Sequence, residues 1–133
     1  MDKMDRKSVI GISALLVHAA KIDEIYSEHE KSLVKDFIKS YLKGDDVDEI
    51  LKKAEEIENN SNQLLNFTNI IKQNSMDVKK DILEHLWKVV ISDNTVDQYE
   101  SNLMRRICGL IYFSDKESAE IKLNLLNSKW HIL

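Results

Sequence analysis

Apolar residues recur along this chain at the three-and-four spacing that buries one stripe of an α-helix, and they do so in successive blocks. Val9, Ile12, Leu16 and Ala19 or Ala20 predict a first helix from about Arg6 to Ile22. Leu33, Val34, Phe37, Ile38, Tyr41 and Leu42 predict a second, which Gly44 ends by accepting a left-handed backbone. A third stripe of Val47, Ile50, Leu51, Ala54 and Ile57 starts after a cap at Asp45 or Asp46. A shorter helix holds Leu64, Leu65, Phe67, Ile70 and Ile71 and ends near Gln73 and Asn74. Ser75 caps a fifth, whose Val78, Ile82, Leu83, Leu86, Trp87, Val89 and Val90 are apolar enough to make it central. The sixth buries Leu103, Met104, Ile107, Cys108, Leu110 and Ile111, and a last one carries Ile121, Leu123 and Leu125 or Leu126.

Two of these blocks share a motif. Asp23 to Glu30 and Asp93 to Glu100 each place an acid first, an N-cap residue four positions on (Ser27, Asp97) and a glutamate seven on, 70 residues apart. The register extends outward, pairing Leu16 with Leu86, Ala19 and Ala20 with Val89 and Val90, Leu33 with Leu103, and Phe37 with Ile107. The chain therefore reads as a tandem repeat of helix, acidic loop and helix. Units at about 8–43 and 75–113 are joined by connecting helices at about 45–73 and followed by a C-terminal helix at about 114–128. Ser27 with Glu30, and Ser114 with Glu117, have the spacing of capping boxes, and Asp97 with Glu100 repeats it.

Composition sharpens this picture. In 133 residues there is no proline and only three glycines, so β-turn punctuation is scarce and an all-α fold is expected. A net charge of −4 without a basic run argues against nucleic acid as a partner. A single cysteine, Cys108, rules out an intrachain disulfide, and its apolar neighbours predict a buried thiol. The apolar run from Ser8 to Ala20 is read as a helix rather than a secretory leader, because Asp2 and Asp5 dilute its start and it aligns with an internal helix. No run is long enough to span a membrane, so the expected location is the cytoplasm.

Candidate chemistry is confined to the acids. His18, His29, His85 and His131 have no metal-site spacing, and no nucleophilic triad or phosphate loop is present. Trp87 and Trp130 are read as packing residues, and the Lys/Glu-rich side of the third helix as a solvated face. Placing Glu30 at the last position of an EF-hand loop puts Asp23 and Ser27 at ligand positions, but Ala19 and Lys21 where the first two ligands belong. The second motif likewise aligns Asp93 and Asp97 but has Val89 and Ile91 at the front. Only half a calcium loop exists in each, so a tight site is excluded. Capping alone accounts for Glu30 and Glu100, helped by the helix dipole at roughly 0.3–1 kcal/mol. Asp23 and Asp93 follow helix C-termini, where a negative charge is disfavoured, so they either accept loop amides in an Asx-type turn or meet a ligand.

The paired helix-loop-helix units, the acid opening each loop with Glu seven on, and Leu86-Trp87 before the second motif resemble the tellurite-resistance TerB-like family over about Ser8 to Asn127. The resemblance implies a compact all-α bundle of about seven helices with an internal pseudo-twofold repeat, no established enzymatic activity, and acidic residues that bind a divalent cation. Those acidic positions fall on Asp23, Glu30, Asp93 and Glu100, and the calcium-loop spacing adds Asp97 as a weaker candidate ligand. The family's glycine after each aspartate is replaced by Glu24 and Asn94, which reshapes the first loop more than the second. The expected function is a non-enzymatic interaction or stress-response module, monomeric or weakly dimeric, whose acidic patch weakly holds a divalent cation or meets a basic protein surface. The alternative is an enzyme using the same carboxylates as metal ligands or acid and base.

Overall fold

The computed structural model describes residues 4–22, 26–44, 46–61, 63–91 and 98–128. They form seven helices and, among the described residues, no strand: α1 (Arg6–Ala20), α2 (Glu28–Tyr41), α3 (Val47–Asn60), α4 (Leu65–Lys72), α5 (Met76–Val90), α6 (Gln98–Ile111) and α7 (Asp115–Leu126). The all-α bundle expected from periodicity is what the chain adopts. α1 and α5 have the same length and start 70 residues apart, and so do α2 and α6.

Placement follows from how much of each helix is apolar. α1 buries ten of its fifteen residues and packs against α2, α3, α4 and α5. α5 buries eight, including Trp87, and packs on α1, α2 and α7. α6 joins through α4 and α7. Lys79 stands where the register would put Val9, and it is buried along its apolar stem, as long charged side chains can be. One close approach depends on a glycine: a Cβ on Gly11 would clash with Ile70 Cδ1 of α4.

Caps set the helix starts. Asp5 accepts from the Ser8 amide at 2.7 Å, and this bond holds its carboxyl below the usual carboxylate range. Asp46, rather than Asp45, caps α3 by accepting from the Glu49 amide. Asp45 itself lies outside the described residues. Ser75 accepts from Val78, as expected. Ser114 accepts from the Lys116 and Glu117 amides, but among the described interactions Glu117 does not reach back, so this box is half formed.

The ends differ more. α2 stops at Tyr41, and Gly44, with φ +89°, lies in the connection beyond the Leu42 cap. Ile57, Leu65 and Leu123 were expected in the core and are largely exposed, Ile57 at 42%. Each sits where a stripe outruns its partner. Ile57 is in the last turn of α3, Leu65 opens α4, and Leu123 faces away from Ile121, which α7 buries instead. Leu33, Tyr41 and Leu110 are half-buried.

Candidate functional site

Glu30 is the best-defined acid of the first motif. It is the third residue of α2 and only 7% exposed. Its Oε1 accepts from the Ser27 amide at 2.9 Å, while Ser27 Oγ accepts from the Glu30 amide at 3.1 Å, a closed capping box. The carboxylate thus satisfies backbone donors at the positive end of α2. Glu100 occupies the same third position of α6 and is 4% exposed. A surface helix normally leaves such a residue in water, so two buried copies at equivalent places are informative. Asp23, Glu24, Asp93, Asn94 and Asp97 lie outside the described residues. Among the described residues no three His, Cys, Asp or Glu side chains come together as metal ligands.

Around the first motif the structure adds a polar layer that spacing could not show. Tyr26 donates its phenolic hydrogen to Glu55 Oε2 at 2.7 Å. Burial, and then this bond, push the phenol well above its ordinary range, so Tyr26 acts as a neutral donor. Lys31 Nζ lies 5.2 Å from the Tyr26 ring centre. Lys21 and Lys52 share with them a shallow hollow of about 430 Å³. One turn further along this face, Glu58 accepts from Lys21 Nζ at 2.8 Å and lies 3.3 Å from His18 Nδ1, tying the end of α1 to the end of α3. The face of α3 read as solvated therefore carries two engaged glutamates. Their partners lie 29 to 40 residues away in sequence, so no local pattern signals them.

Other reactive groups are enclosed. The Cys108 thiol is buried, and burial pushes its pKa up, which suppresses the thiolate that nucleophilic chemistry needs. Trp87 is a packing residue, donating its indole hydrogen to Ser118 Oγ at 3.0 Å across α5 and α7. His85 sits edge-on to Phe37 with ring centres 5.2 Å apart. Burial lowers its pKa, although Asp81 and Asp36 oppose the effect. His29 is exposed, and Trp130 and His131 lie outside the described residues. No helix among the described residues is long and apolar enough to cross a membrane.

With seven helices, two buried glutamates and a duplicated register in place, comparison with known families is decisive. The family model of tellurite resistance protein TerB matches residues 10–123. The chain belongs to the TerB family. No curated protein and no solved structure gives a significant match. The match runs from within α1 to within α7, so it takes in both motifs and the connecting helices α3 and α4.

Proposed function

We propose that the chain is a single TerB-like domain that works as a non-enzymatic interaction module in a cytoplasmic stress-response system. Its two acidic loops, Asp23 to Glu30 and Asp93 to Glu100, form one patch that weakly holds a divalent cation or meets a Lys/Arg-bearing partner surface. The observation that carries this reading is the burial of Glu30 and Glu100 at the same turn of α2 and α6, in a chain of the TerB family. Glu30 anchors the start of α2 through its capping box, and Glu100 is buried at the equivalent turn of α6. Asp23 and Asp93 are then the groups whose charge needs relief from outside, with Asp97 beside them as a lesser ligand.

Half-loops supply too few oxygens for a sensor, so water completes the shell and affinity falls near the ~10⁻⁴–10⁻³ M of extracellular calcium modules. Calorimetry with calcium, magnesium, manganese and zinc should give a weak saturable heat that the Asp23→Asn, Asp93→Asn double variant loses. Asp93→Asn should weaken binding more than Asp23→Asn, because Asn94 tolerates the family's turn better than Glu24. Absence of heat with every ion, together with unchanged capture of a basic partner by the double variant, would reduce these acids to helix punctuation.

A further inference from the structure

α5 and α7 lie side by side, and a groove follows the seam between them. It consists of two hollows, of about 610 and 400 Å³, that share Lys80, Ile121 and Asn124. Met76 and Glu117 line the first, and Lys88 and Ser128 line the second, so the two helices run in the same direction. At 1.5 Å per residue each wall is about 17 Å long, enough for three turns of a helix laid along it. Ile121 and Leu125 give the groove an apolar floor. Met76 and Leu123 line the first hollow with 51% and 55% of their surface in water, an exposure unusual for two large apolar side chains at one place.

Charge changes along the groove. On α7 the lining acids Glu117 and Glu120 belong to the first turns, while Asn124 and Ser128 further on are neutral. Lys116 does not line it, and Lys122 is turned to the Trp87 ring, 5.3 Å from its centre. On α5, Asp77, Lys80, Glu84 and Lys88 alternate in sign along the wall. Among the described residues, Lys80, Lys88, Glu117 and Glu120 make no ion pair. A second α7 laid parallel in this groove would set its acids against Glu117 and Glu120. Laid antiparallel, it brings them to the neutral end of α7, where Lys88 stands. A twofold axis produces that antiparallel order in both directions with the same residues.

We propose that the groove between α5 and α7 is the contact surface of a weak isologous dimer of this chain. α7 of each copy lies antiparallel along the groove of the other. Leu123 of one copy covers the middle of the groove over Ile121 and Asn124 of the other, and Glu117 and Glu120 of one copy meet Lys88 of the other. A second copy fits better than an unrelated helix, because one face carries the apolar knob, the hollow that receives it and both signs of the pairing charges. The contact draws on neither acidic loop.

The test is sedimentation equilibrium of the full chain, which should move from monomer towards dimer between about 10 µM and 1 mM. Leu123→Glu should remain monomeric throughout and keep its unfolding midpoint, since that side chain is largely in water already. Glu120→Lys should weaken association about tenfold, because one exposed ion pair contributes up to about fivefold and the symmetry repeats it. Lys88→Glu combined with Glu120→Lys should restore association, which a merely structural effect of either change would not do. A chain that stays monomeric to 1 mM, a dimer that survives Leu123→Glu, or a charge swap that restores nothing would each overturn the proposal. Dimerisation seen only with Trp130→Ala would assign the groove to residues 129–133 of the same chain and overturn it as well.

Discussion

Ser13 is fully buried in α1, and its hydroxyl has no hydrogen-bond partner among the described residues. A buried unsatisfied hydroxyl costs about 1–3 kcal/mol, and alanine is the better helix former. Ser13→Ala should therefore raise stability by roughly 1–2 kcal/mol in chemical denaturation; an unchanged or lower midpoint would mean that the hydroxyl is satisfied in solution. Ser27→Ala acts in the opposite sense. It removes a cap and one partner of a buried carboxylate, and should cost about 0.5–2 kcal/mol with an unchanged denaturant slope. Both effects depend on single atoms. Yet only the second was visible as a spacing, because a capping box is local whereas a hydroxyl's loneliness depends on every helix around it.

At the scale of elements, helix ends and helix contacts carry the testable strain. α6 closes with Tyr112 at φ 60°, a left-handed residue, and the Phe113 amide reaches back to the Cys108 carbonyl at 2.9 Å. Glycine is the usual occupant of that position. Left-handed backbone costs an ordinary residue about 1–2 kcal/mol, more than the exposed contact of Tyr112 with Lys72 returns, so Tyr112→Gly should stabilise by about 0.5–1 kcal/mol. Tyr112→Val should lose stability in the same denaturation assay, because a β-branched residue tolerates the turn least.

Between α2 and α5 the half-buried His85 makes stability depend on pH. Its folded pKa lies below the ordinary 6.5, because burial outweighs Asp81 and Asp36 while Lys88 adds to the lowering. Below 6.5 the unfolded chain takes up a proton that the folded one refuses, so stability is full above that pH and falls as pH drops toward the folded value. Denaturation midpoints taken between about pH 5 and 7 should show this slope, and His85→Gln should flatten it. An equal slope in both proteins would place the titration elsewhere.

For the whole molecule, the 70-residue offset between α1 and α5 and between α2 and α6 leads us to expect that 6–41 and 76–111 overlay by a pseudo-twofold rotation. α3 packs on α1 as α7 packs on α5, whereas α2 packs on α1 and α5 while α6 packs on α4 and α7. An experimental structure in which one helix pair superposes while the other swings away would refute the duplication as a spatial symmetry.

Periodicity alone determined that this chain is helical, roughly where its seven helices lie, and most of the residues that they bury, because an apolar stripe is a property of neighbours three and four apart. It also determined the capping of α2, whose partners share one turn. Tertiary packing decided the rest. Glu55 and Glu58 gained their roles from Tyr26, Lys21 and His18, which meet them only when α3 packs on α1 and α2. Ile57 stayed in water, although its stripe is as regular as any other, because a stripe says which side of a helix is apolar but not how far the neighbouring helix extends to cover it.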